Sequence, residues 1–189
     1  MIRVAILDPH PAMRAGLVSI LREATGIVPV GAAADRHELW PLLYRTDPDV
    51  VIIDQLQLCL TVRARHPRAR VVLYATRLGF DAMVPAAFAG AAAIVDKASG
   101  TPELLAAIRG ERGLPTITPR LQRRAAERLG GTDRAIFAMR LAGTRDRDIA
   151  AIVGMRRREL KSRIAAIVAA LRSPVPVGPL DRAGQLHAG

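Results

Sequence analysis

The stretch Pro48-Asp49-Val50-Val51-Ile52-Ile53-Asp54 decides the fold. Its four apolar β-branched residues show no polar alternation, so both faces of the strand they form are buried. Strands of that kind belong to parallel sheets covered by helices on either side. Working outward, residues 3–7 and 71–75 repeat the character, residues 27–33 form another candidate strand, and residues 92–95 a shorter one that runs into Asp96-Lys97. Between them, residues 13–23 carry Leu17, Ile20 and Leu21 at helical spacing, and residues 38–45 read as helix despite Pro41. Pro102, with Glu103 in the first turn, opens a helix over residues 102–112. The rhythm predicts an α/β fold, a doubly wound five-stranded parallel sheet. The functional crevice of such a sheet lies beyond the carboxyl ends of its strands. Asp8, Asp54 and Lys97 all fall there, and a lysine offsets the repulsion of two clustered carboxylates.

The chain has 189 residues, enough for one or two domains with a real core. Half of them are apolar and 24% charged, which argues against disorder. Six aromatic residues are too few for the stacking platforms of single-strand nucleic-acid binders. The lone Cys59 excludes an internal disulfide framework and a Cys-clustered zinc site, and it fits a reducing compartment. No targeting segment and no run of about 18 apolar residues is visible, so the expected location is cytoplasmic, with no membrane partner. His10, His37, His66 and His187 show no metal-ligand spacing; His10, between two prolines, reads as solvated or capping. Trp40 and Tyr44, four residues apart, read as core or partner-helix packing. No nucleophile–base pair or Gly-rich phosphate loop appears, so no enzyme is expected.

Charge divides the chain. Residues 1–113 are nearly balanced, whereas residues 114–189 hold 15 basic and 6 acidic side chains out of the total net charge of +11. Such asymmetry points to an anionic partner for the C-terminal part. That part reads as all-helical. Residues 119–129 form a connecting helix with Arg120, Arg123, Arg124 and Arg128 on one face, and Thr132 or Asp133 can cap the next helix, residues 135–142. A short helix over residues 146–153 turns Ile149, Ile152 and Val153 inward, and a long one follows over residues 157–171. In the long helix Leu160, Ile164, Ile167, Val168 and Leu171 make a core stripe. The opposite face carries Arg158, Ser162, Ala165, Ala166 and Ala169, with Lys161 and Arg163 on the flanks. A slim face edged by cations suits the major groove of duplex DNA, which admits one helix. Arg156-Arg157-Arg158 stands at the end of a helix where cations are unfavourable, a local conflict expected at a functional site.

Two resemblances accompany these readings. Residues 1–112 resemble the receiver domain of bacterial response regulators, through Ile6-Leu7-Asp8-Pro9-His10-Pro11, Arg14-Ala15-Gly16-Leu17, the stretch 48–54, Ala89-Gly90-Ala91, Asp96-Lys97-Ala98 and residues 103–108. The resemblance implies that Asp54 holds the phosphoacceptor position and that Asp8, Lys97 and Thr76 belong to the receiver pocket, Ala75 having equal claim with Thr76. The chain departs from that pattern. Pro9 replaces the second acidic ligand, which leaves Mg²⁺ short of a carboxylate, and the loop after Asp54 is shortened. The implied receiver is degenerate, with Lys97 paired to Asp54 or Asp8, and no cofactor is expected. Residues 129–171 resemble the helix-turn-helix domain of LuxR-type regulators of the NarL/FixJ kind, through Leu141-Ala142-Gly143, Arg147-Asp148-Ile149-Ala150, Val153-Gly154-Met155, Leu160-Lys161 and Ile167.

The resulting organisation is a receiver-like domain (residues 1–112), a linker with a connecting helix (113–128), a helix-turn-helix domain (129–172) and a disordered tail (173–189). The expected DNA contacts are Arg145, Arg147, Arg156, Arg157, Arg158, Lys161, Ser162 and Arg163. The expected function is transcriptional control through duplex DNA without phosphorylation of Asp54. The expected partners are duplex DNA, a second copy bound through the receiver-like domain, and an unknown small-molecule or protein effector. The alternatives are a conventional regulator phosphorylated at Asp54 and a protein-interaction module.

Overall fold

The computed structural model describes residues 1–76, 80–114, 123 and 125–172. Five strands alternate with helices: β1 (Ile2–Leu7), α1 (Pro11–Glu23), β2 (Ile27–Ala33), α2 (Arg36–Thr46), β3 (Val50–Ile53), α3 (Leu56–Arg65), β4 (Arg70–Ala75), α4 (Phe80–Ala89), β5 (Ala93–Asp96) and α5 (Thr101–Arg109). Among the elements described further along the chain are α6 (Gly131–Leu141), α7 (Asp146–Ile152) and α8 (Arg157–Arg172). The strands form one parallel sheet in the order β2-β1-β3-β4-β5, the doubly wound architecture that the apolar runs predict.

Burial of β3 follows the pleat. Val50 and Ile52 join a layer with Leu17 and Leu21 of α1 and Leu104 and Ile108 of α5. Val51 and Ile53 face the other way, among Leu39 and Leu43 of α2, Cys59 of α3 and Phe88 of α4. Successive side chains of a strand point to opposite faces, so a strand covered on both sides has to be apolar throughout.

Several local expectations are corrected. The sequence pattern points to neither α3 nor α4; α4 contains Pro85, and its Val84, Ala86, Phe88 and Ala89 are buried. At the start of α6 the cap is Gly130, not Thr132 or Asp133, and no side chain bonds there. Ile152 is 67% exposed, because in the short α7 only Ile149 and Ala150 turn fully inward. Trp40 packs against the core as expected, under the Arg65 guanidinium, whereas Tyr44 is 69% exposed and sets its ring edge-on to His66. Of the expected connecting helix, residues 123 and 125–129 are described, and 123 and 125–127 are helical; the expected tail lies wholly outside the described residues.

The three C-terminal helices share an apolar layer with the sheet unit. Phe88 of α4 meets Phe137 of α6 at 5.5 Å between ring centroids, and α4 packs against both α6 and α8. Arg140 of α6 stacks over Phe88 and donates a 2.7 Å hydrogen bond to its carbonyl. Among the described residues no helix is long and apolar enough to cross a membrane.

Gly110 ends α5 at φ +84, where its N–H donates to the carbonyls of Ala106 and Ala107. Arg70 of β4 donates to the carbonyls of Ala107 and Ile108 beside it, and a Cβ on Gly110 would stand 2.9 Å from an Arg70 nitrogen. Gly110→Ala is therefore expected to cost about 1 kcal/mol. A thermal unfolding scan should show a drop of about 2–4 °C.

Candidate functional site

The strand register assembles the first candidate site. Leu7 of β1 pairs with Ile53 of β3, so the next residues, Asp8 and Asp54, leave the sheet side by side. Ala75 of β4 pairs with Asp96 of β5, and Lys97 follows with its N–H donating to Ala75 O at 3.0 Å. From there the long Lys97 side chain reaches back across the strand ends. Its ammonium donates to Asp8 Oδ2 and lies 3.9 Å from Asp54 Oδ2. Lys97 thus pairs with both carboxylates, and more closely with Asp8. Thr76 is exposed beyond β4.

The two carboxylates are held differently. Asp8 is 1% exposed. Its Oδ1 accepts from the His10 backbone N–H at 2.8 Å and sits 3.0 Å from His10 Nδ1. Burial alone would raise the Asp8 carboxyl, but the hydrogen bonds from Lys97 and His10 and the lysine charge outweigh it and hold it below the ordinary range. Asp54 is pushed the other way, first by burial and then by the neighbouring Asp8 charge, with Lys97 offsetting only part. Among the described residues its Oδ1 is buried with no hydrogen-bond partner.

As the sequence pattern marks it, His10 is exposed and stands at the N-cap position of α1, and its ring also reaches Asp8. Asp8, His10 and Asp54 can offer one donor atom each within 4.8 Å of one another. The signal is present in Asp8-Pro9-His10: a strand end followed by a proline turns the chain back, bringing residue i+2 over residue i. The group does not fit Mg²⁺, which takes an octahedron of oxygens. Pro9 supplies none, the third donor is a nitrogen, and the Lys97 ammonium already stands between the two carboxylates. What the pocket can do is offset the buried Asp8, and in part the half-buried Asp54, with one lysine and tie β1, β3 and β5 together at their carboxyl ends.

The second candidate site is the outer face of α8. Leu160, Ile164, Ile167, Val168 and Leu171 are buried against the rest of the protein. Arg158, Lys161, Ser162, Ala165, Ala166 and Ala169 are exposed, as are Arg156 and Arg157 at the helix start. Gly154, at φ +67, makes the tight turn that delivers α8 from α7. Arg145 and Arg147 are exposed beside it, each 3.3 Å from Asp148. Arg163 differs from the expectation of a flanking cation, because its guanidinium donates to Asp133 in the first turn of α6 and ties the two helices together. The arginine run 156–158 has no ion-pair partner among the described residues.

No family model matches the chain. Its relatives are transcriptional regulators. It is 30% identical over 128 residues to an uncharacterised transcriptional regulatory protein, YxjL, of Bacillus subtilis, covering 62% of this chain and 59% of that protein. It is 28% identical over 116 residues to the DNA-binding transcriptional activator DevR/DosR of Mycobacterium tuberculosis, covering 58% of this chain and 54% of that protein. The chain therefore spans little more than half the length of these relatives. Among solved structures it resembles a two-component response regulator of the LuxR family from Aurantimonas, with a TM-score of 0.54 and 28% identity over 67% of this chain and 96% of that one.

Proposed function

We propose that, like the LuxR-family response regulators it resembles, this chain controls transcription by binding specific duplex DNA, and that it does so without phosphorylation of Asp54. The observation that carries the reading is the outer face of α8, which presents small side chains and arginines to solvent while its apolar stripe holds it on the fold. DevR/DosR, the relative described as a DNA-binding activator, points the same way. Arg158 and Ser162 reach base edges in the major groove. Arg145, Arg147, Arg156, Arg157 and Lys161 meet phosphates, and Arg163 contributes by holding α8 on α6. The sheet unit, residues 1–112, serves as a dimerisation or ligand-responsive module for the helical unit, residues 129–172.

A gel-shift series across salt tests the duplex reading. With five cations on phosphates, log affinity should fall against log salt with a slope of about −4.5. Weak or salt-indifferent duplex binding rejects it.

The phosphorylation-independent part rests on the pocket. Phosphoryl transfer needs a metal to neutralise the developing charge. Here the metal-facing oxygens are reduced by Pro9 and occupied by Lys97. Incubation with acetyl phosphate and Mg²⁺ should leave the intact mass unchanged. An adduct of about 80 daltons that disappears in Asp54→Asn would restore the conventional phosphoswitch.

A further inference from the structure

A cleft of about 470 Å³ opens where the sheet unit meets the C-terminal helices. Its charged lining is five arginines and one acid: Arg63 of α3, Arg140 of α6, Arg145 and Arg147 around the start of α7, Arg157 of α8, and Asp146. The volume is that of a small-molecule site. Asp146 is engaged by Arg140 at 3.1 Å, and Asp148, behind the lining, is shared by Arg145 and Arg147. Among the described residues Arg63 donates to the carbonyls of Pro67 and Ala69 and forms no ion pair, and Arg157 has no ion-pair partner. The cations therefore outnumber the acids available to them. Arg140 shows the cost: burial, more than any other influence, lowers its tendency to hold its proton, and the Arg63 charge adds to that. Like charges converging from separate parts of the chain around a hollow make a favourable place for an anion.

We propose that this cleft binds a small phosphorylated metabolite, a polyanion carrying at least two phosphate charges, gripped from one side by Arg63 and from the other by Arg140, Arg145, Arg147 and Arg157. Guanidinium forks match phosphate oxygens two at a time, which suits five arginines to a diphosphate better than to a single carboxylate. The site bridges the unit that senses and the unit that carries α8. The inference rests on the ligand-responsive half of the functional reading and not on the duplex half. Bound anion neutralises Arg145, Arg147 and Arg157, which are also proposed to meet DNA phosphates, so occupancy lowers duplex affinity.

Isothermal titration of the full chain with inorganic pyrophosphate at constant ionic strength tests the site. Saturable binding tighter than about 1 mM is expected. Arg63→Gln and Arg157→Gln should each weaken it about ten-fold or more, with thermal unfolding confirming that both variants fold. Arg158→Gln, outside the cleft, should leave pyrophosphate binding unchanged while weakening duplex binding. Arg63→Gln should leave duplex affinity intact, since Arg63 belongs to the sheet unit. Absence of saturable binding, or binding untouched by both cleft variants, overturns the proposal. So does a loss of duplex affinity in Arg63→Gln equal to its loss for pyrophosphate, because the cleft would then be a stretch of the DNA surface. Pyrophosphate binding without any duplex binding would uphold the cleft and reject the DNA reading.

Discussion

Lys97→Met is expected to cost about 3–5 kcal/mol of folding stability, lowering the unfolding temperature by roughly 10 °C. Methionine fills much of the space of the lysine stem, so the loss is electrostatic. Asp8 is almost completely buried, and without the ammonium, among the described residues, the two groups of His10 alone still compensate its charge at the carboxylate. Asp54→Asn should move stability the other way, from neutral to slightly positive, because it removes the acid that burial and Asp8 already disfavour. The pH dependence separates the two acids. Asp54, raised, costs nothing while protonated, and its cost grows as pH rises from the ordinary carboxylate value through its own raised value. Asp8, lowered, contributes stability above the ordinary carboxylate value that is lost as pH falls through its own. Urea unfolding between about pH 3 and 7 should therefore show the Asp54 slope vanish in Asp54→Asn and the Asp8 slope persist. A Lys97→Met variant as stable as the parent would mean that the pocket does not depend on this ion pair.

The parts of the fold that are legible in the sequence are those where one residue type has one physical outcome. Val50 to Ile53 must be buried on both faces, and residues that follow such strands must gather at one edge; this is why the order of residues alone places Asp8, Asp54 and Lys97 together. The stripe of α8 is legible for the same reason, since five apolar residues at helical spacing leave only one outer face. What escapes the sequence is decided by geometry between distant segments. Helix α4 hides behind Pro85, yet buries Phe88. Nothing in the sequence pairs Phe88 with Phe137 or sets Arg140 on Phe88, because those contacts depend on how two units dock. The Asp133–Arg163 pair, which takes a cation away from the expected DNA face, joins residues on separate helices, and Ile152 misleads because seven residues are too few to define an inward stripe.

Ala166→Glu is expected to reduce duplex affinity by at least about 100-fold while leaving the protein folded. The residue is exposed on α8, and an exposed substitution of one good helix former by another shifts stability by no more than about 0.5 kcal/mol. In the groove the effect is large for two reasons. The added side chain occupies the space that Ala165 and Ala166 leave for close approach, and its carboxylate is brought toward phosphates with no cation reserved for it. Ala166→Lys separates the two causes, since it adds similar bulk with the opposite charge. It should keep or strengthen salt-sensitive binding to any duplex while losing preference among sequences, because charge contributes affinity and groove contacts contribute discrimination. If α8 instead docked on a protein partner, both variants would weaken that partner through bulk alone, and neither would change the salt slope of duplex binding. Fluorescence anisotropy with matched specific and scrambled duplexes at two salt concentrations distinguishes these outcomes. Equal duplex affinities in Ala166→Glu and the parent would remove α8 as the reading element.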